Sequence, residues 1–260
     1  MKVQMDDVRW LTHFRRNREN RPEPDWDAPI TLPPDVVRPL VRSLEQFELG
    51  DGGGPDQLIA WDAERFQTSG EGTRELVDLW FREEGEHSRL LGALVTRFGG
   101  QPIRGHWSFS VFCGVRRWLG VRFELTALLL TEIVSTVYYR LMLRHGDDEA
   151  LKAVCRLILR DEGGHVAFHR DRLALAGRGK YGWAWEAPFR ALGLAAAIML
   201  WVNHAPGLRA LGASRAEFYE EVGWELSKFV HRLRREVARS PQMTGTISLR
   251  LASTRVSLKH

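Results

Sequence analysis

The residues best suited to chemistry in this chain of 260 residues form a repeated pattern. Arg82-Glu83-Glu84-Gly85-Glu86-His87 and Arg160-Asp161-Glu162-Gly163-Gly164-His165 both read acid–Glu–x–x–His. Residues three apart share one face of a helix, so Glu84 with His87, and Glu162 with His165, can each offer a carboxylate and an imidazole to one metal ion. Two such copies on facing helices, with one carboxylate from each of two further helices, make up the ligand set of a dinuclear iron site in a four-helix bundle. A lone Glu-x-x-His in a helical protein is usually a solvated pair; the second copy at core-facing phase gives the pattern its weight.

Those side chains need four long helices, and the apolar periodicity supplies them. The first is expected over 36–66, entered at Asp35 as N-cap, with apolar residues at 36, 37, 40, 41, 44 and 47. Gly50-Asp51-Gly52-Gly53-Gly54-Pro55 interrupts it, but the apolar phase resumes at Leu58 and Ile59, which predicts a local bulge or kink. The second runs over 73–98 and closes at Gly99-Gly100, and the aromatic stretch 101–117 reads as irregular. The third spans 118–145 and the fourth 149–176, joined by a short turn in which Asp147 and Asp148 cap the entry. Ahead of them, residues 1–34 read as a short amphipathic start (Val8, Trp10, Leu11, Phe14) and a Pro-rich arm lying over the bundle. Beyond 177 two more helices are expected, over 186–204 and 214–238, in one domain with the core; the tail from 240 reads as β-prone or disordered.

The remaining carboxylates follow from height. In an antiparallel hairpin, residues equidistant from the turn lie level. The turn between the third and fourth helices centres near 147, with Glu162 fifteen residues after it and Glu132 fifteen before. Glu124 sits eight residues lower, about 12 Å away, so Glu132 is the candidate ligand. In the first helix Asp51 is nearest in height to Glu84 and falls in the middle of the apolar face; Glu48 lies about 60° off and ranks second. The set is Asp51, Glu84, His87, Glu132, Glu162 and His165. Four buried carboxylates on one level require divalent cations, and oxygen-rich ligation with one nitrogen per metal suits Fe(II) or Mn(II) over a structural zinc. His169 lies on the same face as Glu162 but about 10 Å along, where a hydrogen-bonded core histidine is the plainer expectation than a third histidine ligand or a pocket-lining role. Tyr138, Tyr139, Trp201 and His204 read as packing or caps.

Composition narrows the partners. The formal net charge is +4, with basic clusters at Arg15, Arg16, Arg18 and Arg21 and at Arg232 to Arg235. No nucleic-acid motif accompanies them, so solvated helix faces are expected and no DNA or RNA partner. The opening MKVQMDDVRWL has no apolar h-region, and the longest apolar run, Leu194 to Val202, is too short for a bilayer; no signal peptide and no membrane span are expected. Cys113 and Cys155 form no disulfide framework and no Cys-x-x-Cys, which suits a reducing, cytoplasmic setting.

On its paired motifs and level-matched Glu132, the region 36–176 resembles the ferritin-like diiron-carboxylate superfamily. The oxygen-activating branch is the nearer part: acyl carrier protein desaturases, bacterial multicomponent monooxygenases, ribonucleotide reductase small subunits and arylamine N-oxygenases. Trp80-Phe81-Arg82-Glu83-Glu84-Gly85-Glu86-His87 is similar to the desaturase motif. More loosely, the whole chain looks like an uncharacterised family of bacterial ferritin-like proteins, sharing the arm and the Ser-Leu-x-x-Phe-x-Leu-Gly-acid segment that ends at Asp51. The resemblance implies an all-α, ferritin-like antiparallel four-helix bundle with an N-terminal arm and two additional C-terminal helices. It implies further that the acid before each motif Glu reaches across to the opposite histidine, Asp161 to His87 and Glu83 to His165, fixing each ring. Ser135 and Thr136 stand where oxygen-activating relatives carry a hydroxyl facing the dioxygen pocket; a helix hydroxyl bonded back to its own backbone is the alternative. Leu91 occupies the position of the reductase's radical tyrosine, which speaks against a radical of that kind.

The function implied is a two-iron oxidoreductase, with Mn/Fe as a variant pair, in which Glu132 and Glu162 bridge the metals. It would use O₂ and an external electron donor to hydroxylate, desaturate or N-oxygenate a small-molecule or acyl substrate. A homodimer is compatible with this reading. The alternative is a ferroxidase or iron-binding protein whose substrate is Fe(II) itself; the basic charge and the helices beyond 177 count against it. A protein with a relic site and no metal is the remaining alternative, and no ligand loss points to it.

Overall fold

The computed structural model describes residues 7–52, 71–175, 177 and 182–239. Among these residues the structure is all-α, with eight helices and no strand: α1 Asp7–Glu19, α2 Pro34–Gly52, α3 Glu71–Arg97, α4 Trp107–Leu119, α5 Val121–His145, α6 Glu149–Leu175, α7 Gly182–Leu211 and α8 Arg215–Arg239. The helix ends follow local chemistry. Pro34 occupies the first turn of α2, where its missing N–H costs nothing, and Asp35 lies inside that turn instead of capping it. The Val36 and Val37 amides reach back to the Pro33 carbonyl. Asp148 does cap α6, its Oδ1 accepting from the Leu151 amide at 3.0 Å. Gly99 turns the chain out of α3 at φ 80°, a left-handed conformation that glycine adopts freely.

α2 and α3 pack as an antiparallel pair. Gly100 lies against Val41 and Glu45, Gly92 against Glu48, and Gly52 against Ser88, a constant sum of residue numbers near 140. α5 and α6 form a second pair, joined by three residues, and α3 meets α6 to unite the two. α7 lies across α2 and α5, and runs antiparallel to α8 through Phe189 on Phe229 and Trp201 on Phe218. The large core knits Leu40, Leu44, Leu91, Leu94, Ile133, Val137, Leu151 and Ile158 together with Trp201 and Phe218. Burying side chains of this size stabilises the fold by about 1.5–3 kcal/mol each, before the loss of chain entropy is set against it.

Three expectations about elements need correction. Residues 107–117, read as irregular, form with 118–119 the helix α4, and Gly120 at φ 79° separates it from α5, which starts at Val121 instead of 118. α7 runs from 182 to 211 instead of 186–204, continuing past Pro206. Gly207, beside that proline, lets α7 pack close to α2: a β-carbon there would sit only 3.1 Å from the Pro39 carbonyl oxygen. The bulge expected at 50–55 and the helix's continuation to 66 lie mostly outside the described residues, as does the tail from 240. By length and composition α5 and α7 are each apolar enough to cross a membrane; 56% of the α5 window is buried inside the protein, but only 39% of the α7 window.

α1 is the first part of the arm and it is helical. Trp10 and Phe14 are buried with Leu76, Leu79, Trp80 and Phe168 in a second apolar cluster covering α3 and α6. Gly164 makes this docking close: a β-carbon there would run into the ring of His13. The two motif glycines thus differ in what they do. Gly163 faces outward and Gly164 accepts α1.

Candidate metal centre

The ligand candidates come from the four central helices: Asp51 from the last turn of α2, Glu84 and His87 from α3, Glu132 from α5, Glu162 and His165 from α6. They meet at one level. His165 Nδ1 lies 3.0 Å from Glu84, 3.9 Å from Glu132 and 3.8 Å from Glu162. His87 Nδ1 lies 3.7 Å from Glu84 and 3.8 Å from Glu162. Glu84 and Glu162 each turn one oxygen to each histidine, so these two carboxylates straddle the site. The bridging pair expected from sequence was Glu132 and Glu162; Glu132 instead sits on the His165 side alone, and Glu84 takes the straddling place. Two groups of close ligand atoms result, Asp51–Glu84–His87 and Glu84–Glu132–His165, with all atoms of a group within 4.8 Å of one another. Glu48, second in rank, is not among them; it accepts from Ser88 Oγ at 3.4 Å.

The fit to cations is tested by what these atoms lack. His87 Nδ1, His165 Nδ1, both oxygens of Glu132 and one of Glu162 are buried without a hydrogen-bond partner. Buried polar atoms normally find partners, because each orphan costs about 1–3 kcal/mol. Orphans of complementary type converging on one place are what a divalent ion satisfies. Charge points the same way. Burial, and next the charge of Glu84, push the carboxyls of Asp51 and Glu162 well above their ordinary range. For Glu84 burial acts upward too, but the His165 and His87 imidazoles facing it prevail and hold it low. His87, although burial alone would lower it, is raised to about 10 by Asp161 and Glu84. The acids cannot all be charged without compensating cations, which divalent metal ions would supply.

Behind the site stands an ionic wall. His87 Nε2 lies 3.2 Å from Asp161, and His165 Nε2 lies 2.9 Å from Glu83. Each acid thus supports the histidine of the other motif and fixes the Nε2–H tautomer, leaving Nδ1 for a metal. Arg21 joins the two acids, 2.7 Å from Asp161 and 3.5 Å from Glu83. Arg160 and Asn17 also donate to Asp161, at 3.1 and 3.4 Å. Burial raises the Asp161 carboxyl, but the His87 hydrogen bond and the charges of His87, Arg21 and Arg160 outweigh it and hold the group below its usual range. Trp80 and Phe14 close the wall against the His165 ring.

In front lies a cavity of about 580 Å³. Asp51, Glu84, Glu132 and Glu162 form its floor, and Phe109, Phe112, Phe123, Leu128, Leu192 and Met199 are among its walls. Gly50 and Gly85 face it with no atom within 4 Å of a β-carbon built there, so small residues at the floor keep it open. No protein-family model, curated protein or solved structure matches the chain. The reading therefore rests on this geometry.

Other residues fall out differently from their sequence reading. Ser135 lines the cavity and Thr136 does not; both hydroxyls are bonded back to the Glu132 carbonyl, at 3.1 and 2.7 Å. Thr131 also lines it and was not singled out. His169 is buried with Nε2 3.4 Å from Glu132, closer than its place in the helix suggested. Arg172 approaches its Nδ1 at 3.2 Å, and Nε2, which makes no hydrogen bond, packs against the Glu132 carboxylate. Tyr138 and His204 share Ser43, at 2.6 and 2.8 Å. Tyr139 buries its hydroxyl without a partner, and burial first, then the Asp51 charge, raise its pKa. Arg21 was the residue sequence reading missed. It stood in a basic cluster with Arg15, Arg16 and Arg18, and only the arm's fold distinguishes it.

Proposed function

We propose that this protein is a ferritin-like, non-haem dinuclear iron oxidoreductase that uses O₂ to oxidise an apolar organic substrate. The observation that carries the reading is the convergence of unpartnered, buried carboxylate and imidazole atoms on the floor of an apolar cavity. Asp51 and His87 would hold one ion, Glu132 and His165 the other, with Glu84 and Glu162 between them. A bound iron pair, or a manganese–iron pair, would supply the electrons that reduce O₂ and the oxidising power that acts on the substrate.

The chain's own residues do the rest. Asp161 and Glu83 hold the Nε2 protons, so both imidazoles stay oriented with Nδ1 toward the ions. Arg21, tying the two acids, balances their charge and keeps both supports in one frame. His169 packs against Glu132. The aromatic and aliphatic cavity walls exclude water and accept an apolar substrate directly above the carboxylates. Ser135 and Thr131 are hydroxyls on that surface able to pass a proton to or from the floor. An external donor would return electrons to the site. The alternative in which Fe(II) itself is the substrate fits less well, because the approach to the floor is apolar instead of acidic.

The test is O₂ uptake by protein loaded with Fe(II) without air. Rapid O₂ consumption and a transient visible band are expected, and Glu162→Ala should abolish both. Stoichiometric iron binding with no reaction toward O₂ would refute the oxidase reading while leaving the metal site intact.

A further inference from the structure

Residues of α4 and α7 line the cavity, and both helices also carry exposed apolar side chains. On α4 these are Trp107, Val111, Val115 and Trp118, at spacings of four, four and three, which confines them to an arc of about 80°. Trp107 is 55% exposed and Trp118 87%. On α7 they are Leu194, Ile198 and Val202, one turn apart, with Val202 62% exposed. Leu192 and Met199 of α7, and Val111 and Val115 of α4, are exposed and line the cavity as well, so the patch is continuous with its rim. A lone exposed leucine needs no explanation, but two apolar stripes bordering one cavity mark a docking surface.

Charge identifies the occupant. From Gln101 to Phe123 there are four arginines, Arg104, Arg116, Arg117 and Arg122, and no acid. Arg116 is buried on Glu124, whereas Arg104, Arg117 and Arg122 are exposed. α7 has no charged residue between Arg190 and Arg209. A second copy of this chain would therefore offer the arginines no carboxylate, whether α4 faced α4 or α7 across a two-fold axis. An anionic bilayer offers both things the patch lacks: phosphates for arginine, and an interface in which tryptophan and aliphatic side chains settle.

We propose that the α4–α7 face docks on an anionic lipid bilayer surface, with Trp107 and Trp118 in the interfacial region and Arg117 and Arg122 at the headgroups. The docking stands on this surface alone. That it also opens the cavity to apolar substrates dissolved in the bilayer rests on the function proposed above.

The test is flotation of the full, metal-free chain with phosphatidylcholine vesicles, with and without phosphatidylglycerol. Binding is expected to the anionic vesicles, to fall with added salt, and to drop about fivefold for each of Arg117→Ala and Arg122→Ala. Trp118 and Ile198 lie outside the cavity lining, so Trp118→Glu and Ile198→Glu should remove binding while helix content and iron uptake stay as in the parent. Absence of flotation with either vesicle type would overturn the proposal. In that case, a concentration-dependent dimer broken by Trp118→Glu would reassign the face to a contact between copies. Equal binding to neutral and anionic vesicles, indifferent to the arginine substitutions, would overturn it too. Because the protein carries no metal in this assay, failure here is separate from failure of the iron chemistry.

Discussion

Asp161→Asn separates the two halves of the site. The substitution keeps size and shape but removes the charge that lies 3.2 Å from His87 Nε2 and 2.7 Å from Arg21. Asp161 is fully buried, so water cannot replace it. Loss of a carboxylate supporting a ligand histidine typically costs 10- to 100-fold in metal affinity, or about 1.4–2.7 kcal/mol. The loss should be confined. His87 belongs with Asp51 and Glu84, whereas the group of Glu132 and His165 is supported by Glu83. Calorimetric titration of metal-free protein with Fe(II) in the absence of O₂ should therefore show one binding step weakened and the other nearly unchanged. Glu83→Gln should weaken the opposite step, with a smaller shared effect because Arg21 touches both acids. The reasoning is refuted if neither substitution changes affinity, or if both weaken the same step.

Three further outcomes follow from the same structure. Gly52→Ala should lower the melting temperature and weaken the ion at Asp51: alanine is the better helix former by about 1 kcal/mol, but its β-carbon would overlap Ser88, and overpacking of this kind costs about 1–3 kcal/mol. His204, buried on Ser43, has a pKa depressed by burial to about 3 against an ordinary 6.5. The unfolded chain therefore binds a proton below pH 6.5 that the fold refuses, so stability is complete above that pH and lost progressively as pH falls toward 3. At pH 5 the loss is about 2 kcal/mol; denaturant melts of the parent and His204→Gln should converge or cross in relative stability between pH 7 and pH 5. Glu124→Ala strands Arg116, whose ion pair at 2.8 Å ties α4 to α5, and amide exchange across 107–119 should accelerate far more than in the core helices.

Much of the centre was legible because helical periodicity is a local property. The two Glu-x-x-His copies share faces by spacing alone, and a three-residue turn made the level of Glu132 countable from Glu162. Asp51 followed from phase, with Ser88 drawing Glu48 aside in the fold. What stayed hidden depends on contacts distant in sequence. Arg21 lies 140 residues from Asp161, and nothing in its basic cluster separates it from Arg16 or Arg18. The place of Gly164 needs α1 to be docked before its purpose shows. The place of Glu84 between the two histidines depends on side-chain direction, which spacing does not set. α4 was missed for another reason: Pro102, Gly105, Gly114 and Gly120 in and around a short aromatic run read as breakers, and only the packed chain shows that the helix forms between them.

The most direct test of the central claim is the iron content of the chain after anaerobic Fe(II) loading and removal of free metal. Two irons per chain are expected in the parent, falling sharply in Glu84→Ala, because that carboxylate faces both histidines. One iron per chain in the parent, or two that survive Glu84→Ala unchanged, would contradict a dinuclear centre built on these six residues.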